Sequence, residues 1–348
     1  MTEFFEAASD AEMMRLVAQV AVLLAAARLL GGVAQRLGQP GVVGEILAGV
    51  LLGPSLVSGL VPAIGEWIVP QTRVQGYLLE TVSLIGVMLL LIVTGLETDL
   101  ALIRQRIKVA FGVAIGGLVL PFATGLALGF GLPDDLLADP NARTVFALFV
   151  ATALSISAIP VLAKVLMDLD LMRRELGQTM LAAGMIDDIT GWTLLGLVTA
   201  LAGAGTLSGA VVAETVLMVV VFVAVTATVG RWLVTHSLRV VQERIHSRDA
   251  VLTLVIALAF GWGAFSQALH LEAVIGAFAV GILFGRLPRL PTDVVHKLES
   301  MALALFAPVF FATAGLKVDI RAILEPRLLG ITLAVIAVAT IGKVVGAY

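Results

Sequence analysis

The chain has 348 residues, 59% hydrophobic and 14% charged, with 35 glycines, a mean hydropathy of +1.06 and a formal net charge of −3. Soluble globular proteins do not have this composition, whereas glycine-rich apolar stretches are what a polytopic membrane protein needs. The small net charge and the lack of a basic tail give no sign of a nucleic-acid partner, and zero cysteines exclude disulfides, thiolate metal sites and cysteine nucleophiles.

In chain order, the apolar runs predict an all-α protein with eleven membrane spans, at about 13–37, 41–57, 76–100, 106–131, 142–167, 175–204, 208–235, 248–269, 272–286, 298–316 and 326–348. The first is not a cleavable signal, because no short apolar region with a small-residue cleavage site precedes the next polar sequence. His236, His246 and His296 fall in polar connections and His270 at a helix end, so solvated imidazoles are expected, with no metal centre and no cofactor.

Orientation follows from lysine and arginine. With an external N-terminus the inner connections hold fourteen (Arg36, Arg104, Arg106, Lys108, Lys164, Arg173, Arg174, Arg231, Arg239, Arg244, Arg248, Arg286, Arg289 and Lys297) against six outside. The positive-inside rule favours that arrangement and places the acidic loop 131–140 outside.

The chain repeats itself. Val43–Gly53, VGEILAGVLLG, matches Ile275–Gly285, IGAFAVGILFG, with glycines at the same three offsets, and one span later GLETDL at 95–100 matches GLKVDI at 315–320. Spans 2 and 3 therefore resemble spans 9 and 10. An odd number of spans separates the copies, so they are inverted, the pattern of secondary transporters. By the same pairing spans 5 and 6 lack partners, and the expectation is eleven helices of thirteen, with the C-terminal part missing.

Met185–Thr190, MIDDIT, puts Asp187 and Asp188 roughly 12 residues, or about 18 Å at ~1.5 Å per residue, from the inner end of span 6. An aspartate at that depth costs on the order of 3 kcal/mol, which calls for a polar cavity or a counter-charge. Adjacent helical residues diverge by about 100°, so the two carboxylates should look into different surroundings, one toward a partner charge and one toward an aqueous funnel. Lys343, the lysine that reads as lying well inside a span, is the candidate partner; snorkelling to the interface is the alternative.

Span 5 clusters Thr152, Ser155, Ser157 and Pro160 at mid-depth. Pro160 is expected to break the helix and leave carbonyls and hydroxyls open to a cation; a kinked helix with back-bonded hydroxyls is the alternative. Glu97 and Asp99 read as interface charges, Glu45 as lining a cavity or facing a basic residue, and Pro308 as a bend.

MIDDITGW, SISAIPV, VTGLETDL, EAVIGAFAVGILFG and FAPVFFATAGLKVDI closely resemble the second monovalent cation:proton antiporter family, which includes sodium/proton exchangers and Kef-type potassium efflux systems. The resemblance covers nearly the whole chain. It implies a homodimer in the bilayer of the inner (plasma) membrane, with a dimerisation domain from residues 1–103 and 248–325. A moving core would come from 104–204 and 326–348, the latter incomplete, and 205–247 would supply a linker helix and cytoplasmic loop. It further implies that Asp188 binds cation and proton while Asp187 pairs with Lys343, as in the electrogenic branch; Kef-type members tend to carry Gln-Asp here.

The expected function is exchange of a monovalent cation, Na+ first and K+ next, for protons by alternating access, with activity rising toward alkaline pH. A gated Kef-type K+ efflux system and a sodium-coupled solute symporter are the alternatives. An enzyme is not expected, since an intramembrane aspartyl protease needs two aspartates on separate facing helices.

Overall fold

The computed structural model describes residues 9–57, 61–137, 139, 142–204, 209–245, 248–287 and 290–347. His246, Arg289 and part of the acidic loop lie outside the described residues. Among those described there is no strand.

The first half contains α1 (Asp10–Arg36), α2 (Gly41–Val50, prolonged by a π turn over Leu51–Ser55), α3 (Pro62–Ile68), α4 (Arg73–Leu96) and α5 (Leu100–Gly131). Next come α6 (Arg143–Ser155), α7 (Ile159–Asp168), α8 (Glu175–Ala204), α9 (Gly209–Val225) and α10 (Arg231–Arg244). α11 (Arg248–Ala268), α12 (Ala273–Gly285), α13 (Thr292–Met301), α14 (Ala307–Leu316) and α15 (Pro326–Ala347) complete the chain. One π turn, Thr226–Gly230, carries α9 into α10 and another, Ala302–Phe306, carries α13 into α14.

Helix starts follow local chemistry. Ser9 and Glu12 close a capping box on α1, Thr72 caps α4 through the Gln75 amide, and Asp99 caps α5 through the amides of Ala101 and Leu102. Among the described residues, nine helical segments are long and apolar enough to cross a membrane, and Gly41–Ser55 and Ala273–Gly285 are shorter apolar helices. Many large side chains, including Leu29, Val216 and Leu333, are apolar and exposed, as lipid-facing helices require.

The expected spans fall on these helices with corrections. Span 5 is two helices, α6 and α7. Its break lies at Ile156–Ala158, ahead of Pro160, which sits in the first turn of α7. A proline is tolerated there because the first helical amides have no intrahelical acceptor, while Ile156 and Ala158 take extended backbone. Span 10 begins at Thr292 rather than 298, since Val294 and Leu298, one turn apart, bury the apolar face of an otherwise polar α13. Span 7 continues to Arg244, so Arg231 lies inside a helix, as does Lys164 in α7.

The repeat is visible in the packing. A Cβ at Gly49 of α2 would overlap the Ala312 carbonyl of α14, and one at Gly281 of α12 would overlap the Ile92 carbonyl of α4. Gly315 abuts the Ile46 carbonyl as Gly95 abuts that of Phe278, and Gly44 meets Leu30 of α1 as Gly276 meets Trp262 of α11. Each of these partners stands at the position its repeat equivalent predicts. The short helix of each repeat is thus seated on the long helix of the other, backbone against backbone, which small residues permit in a membrane. Asp99 and Asp319, equivalent in the repeat, also cap alike: Asp319 accepts from the Arg321 amide.

At the opposite end from the arginine-rich connections, Arg327 makes a bidentate pair with Asp135 at 2.6 and 2.8 Å, tying the start of α15 to the α5–α6 connection. The guanidinium holds the Asp135 carboxyl below its usual range. Both groups are exposed, so the pair contributes little, and that little is lost as pH falls through the lowered titration point.

Candidate functional site

The broken helix presents two opposite helix ends at one depth. The C-terminal end of α6 carries partial negative charge and the N-terminal end of α7 partial positive charge. Lys343 of α15 meets the first: its ammonium donates to the Ser155 carbonyl and, at 2.6 Å, to the Ser157 hydroxyl. Asp188 of α8 meets the second, lying beside Ile159, the residue that opens α7.

Asp187 and Asp188 are both 6% exposed, and their environments differ. Asp187 Oδ2 stands 3.6 Å from Lys343 Nζ, while its Oδ1 is buried without a hydrogen-bond partner. Asp188 faces the α7 N-terminus, with Glu272, the residue ahead of α12, as a further charged neighbour. One helix therefore presents one carboxylate to a cationic side chain and the other to backbone amide dipoles.

The hydroxyls of span 5 divide. Thr152 donates to the Leu148 carbonyl at 2.8 Å and Ser155 to that of Thr152 at 2.9 Å, both fully buried against their own helix. Ser157, in the break itself, is within reach of Lys343. The hydroxyls of Thr152 and Ser155 thus turn back into α6, and it is the Ser155 carbonyl that meets Lys343.

Lys343 is not the only lysine inside the bundle. Lys164 is 4% exposed within α7, 2.6 Å from Asp168 and 3.5 Å from Glu45 of α2. The spacing Lys164–Asp168, one helical turn, was a readable signal for this pair.

A second buried group escaped sequence reasoning. Gln178, 1% exposed near the start of α8, donates to the carbonyls of Glu97 at 3.0 Å and Met172 at 2.8 Å and accepts from the Asp99 amide at 2.7 Å. Arg173 reinforces the junction through Glu97 at 2.9 Å. Gln178→Leu would leave three backbone groups unpaired at roughly 1–3 kcal/mol each, so a clear drop in melting temperature is expected by tryptophan fluorescence. Arg173→Gln, an exposed partner, should shift it little.

On the other face of α8, Met185 and Ile189 border an apolar cavity of about 250 Å³ shared with Phe222 of α9 and with Ile275, Phe278 and Ile282 of α12. Contact between α8 and α12 is therefore loose, in contrast to the glycine-mediated seats of α2 and α12.

Residues 21–348 match the family described as sodium/hydrogen exchanger, transmembrane. The chain belongs to that family. NhaS4, a Na+/H+ antiporter of Synechocystis sp., is 32% identical over 339 residues, which cover 97% of this chain and 81% of the relative. Cation/H+ antiporter 20 of Arabidopsis thaliana is 33% identical over 96% of the chain, which spans 40% of that longer protein. K+/H+ antiporter 1 of Saccharomyces cerevisiae is 29% identical over 88% of the chain and 36% of its own length.

Among solved structures, the sodium proton antiporter NhaP1 of Methanocaldococcus jannaschii superposes with a TM-score of 0.66 at 18% identity, covering 96% of this chain and 79% of its own. Exchanger-family membership makes this a multi-pass membrane transporter rather than an enzyme, on an all-helical antiporter fold.

Proposed function

We propose that the protein exchanges a monovalent cation for protons by alternating access, with Asp188 binding either ion in turn. The carrying observation is the setting of Asp188: a carboxylate buried in a membrane-spanning helix, beside the N-terminus of a broken helix and without a lysine or arginine partner. A group so placed is neutralised by a proton or by a cation that replaces it, and relatives named as Na+/H+ and K+/H+ antiporters fit that chemistry.

In this reading residues 104–204 and 326–348 move against a scaffold of 1–103 and 248–325, and the loose α8–α12 contact supports sliding there. A homodimer in the plasma membrane with an external N-terminus completes it. Lys343 holds Asp187, and its ammonium covers the α6 carbonyl end that a cation would otherwise seek.

Solid-supported-membrane currents from proteoliposomes, with NaCl and then KCl jumps, test the reading and name the ion. Competition predicts that, once protons occupy the site, the apparent KM for the cation rises about tenfold for each unit fall in pH at unchanged maximal flux. A KM that ignores pH would overturn the shared site.

Lys343→Gln removes the charge that balances Asp187. We expect exchange to persist with the net charge moved per cation reduced, read as a smaller current at equal dye-detected proton flux. Unchanged current would remove Lys343 from the transport cycle.

A further inference from the structure

Glu45 is the acid that this scheme leaves unused. It lies on α2 and is 2% exposed, with Oε1 3.5 Å from the Lys164 ammonium and Oε2 buried without a partner. Lys164 is held more closely by Asp168, at 2.6 Å, and the other oxygen of Asp168 accepts from the Val42 amide at 3.3 Å.

Two carboxylates and one ammonium are therefore enclosed together, and they sum to −1 unless a proton joins them. Burial of an unbalanced charge is costly, and protonating one carboxyl removes the cost. Asp168 has two donors and Glu45 has only the longer contact, so the proton belongs on Glu45.

Of the charged groups on the neighbouring elements, Arg28 of α1 opposes protonation of Glu45, but from a distance: its guanidinium donates to the carbonyls of Leu303 at 2.9 Å and Ala304 at 3.1 Å and gives no hydrogen bond to Oε2. α14, also packed on α2, contains no titratable residue. From α7 only Lys164 and Asp168 reach the cluster.

We propose that Glu45 is a second proton-binding group, set at the boundary between α2 and α7, which holds its proton while the two helices are in contact and releases it to water when they part. The cluster joins residues 1–103 to residues 104–204. Release rests on the proposed sliding of those two parts, whereas protonation in the closed contact does not. The proton comes from and returns to the aqueous phase at the arginine-rich end, and no other reactant is needed.

Two measurements test it on the whole protein in liposomes. Infrared spectra across about pH 6 to pH 9 should contain a deuterium-sensitive carbonyl stretch of a protonated carboxyl that Glu45→Gln removes and Asp188→Asn retains. An unchanged band in Glu45→Gln overturns the assignment.

The chain lacks cysteine, so Val42→Cys provides a single buried thiol on the α2 residue whose amide meets Asp168 of α7. Its labelling by a membrane-impermeant maleimide should accelerate on the order of tenfold as the proton leaves at alkaline pH, and should lose that pH dependence when Glu45→Gln is added. The same pH dependence with and without Glu45, or no labelling at any pH, overturns the coupling. Should the unaltered protein show no cation-driven proton flux, the exchange reading fails separately and the infrared result still decides Glu45.

Discussion

Replacement of Asp188 by asparagine is expected to reduce cation-driven proton flux at least about a hundredfold, because an ion–carboxylate contact in a low-dielectric site is worth several kcal/mol and each ~1.4 kcal/mol is a factor of ten. Asparagine keeps the shape beside the α7 N-terminus, but it can neither take up a proton nor neutralise a cation. The loss should therefore appear in flux and in cation-dependent thermal shift together, with the apo protein melting as before or higher, since a buried charge has been removed. Asp187→Asn provides the contrast: it leaves Lys343 bound to the Ser155 carbonyl and the Ser157 hydroxyl, and should permit exchange. Full transport by Asp188→Asn would end the proposal.

The second large effect concerns the scaffold. Gly49→Ala and Gly281→Ala each place a methyl group where a neighbouring helix has its carbonyl, and a rigid backbone cannot yield as a side chain can. Each is expected to cost about 3 kcal/mol or more, at or beyond the upper end for overpacking, since two helix axes must separate. Because the sites are repeat equivalents, their losses should be alike. Gly112→Ala and Gly196→Ala meet nothing within 4 Å and should be neutral or stabilising by up to about 1 kcal/mol. Melting in detergent resolves the two classes, and equal effects at all four positions would show that helix propensity rather than interhelical contact sets the cost.

The legible parts of the molecule were those governed by periodicity and by the price of burying charge. Apolar run lengths located the helices, and the matched glycines of Val43–Gly53 and Ile275–Gly285 announced a repeat whose partners, Ala312 and Ile92, only the packing reveals. Asp187, Asp188 and Lys343 stood out because lipid makes each costly. Less legible were features set by polar satisfaction across distant segments. Gln178 looks ordinary in the sequence, and nothing local says that its amide spans the Glu97–Asp99 connection. Lys164 was misplaced because a lysine near the end of an apolar run resembles a positive-inside residue, and it is Asp168, one turn on, that makes its burial tolerable once α2 closes over the pair. Thr152 and Ser155 have the right chemistry for an ion, but a hydroxyl in a helix has a nearby carbonyl one turn back, and in α6 that local choice prevails.

The crossed seating of α2 on α14 and of α12 on α4 also imposes an order on biosynthesis. Gly49 and its partner Ala312 are roughly 260 residues apart, so at about 5–20 residues per second the first repeat waits roughly 10–50 s in the membrane before its counterpart is made. Until its partner helix is made, the Gly49 face of α2, like the Gly95 face of α4, has no native neighbour, and the scaffold cannot close on half a chain. Both faces must be occupied meanwhile by lipid or by the insertion machinery, and a ribosome stalled in the intervening sequence would leave an open half-scaffold exposed to quality-control proteolysis.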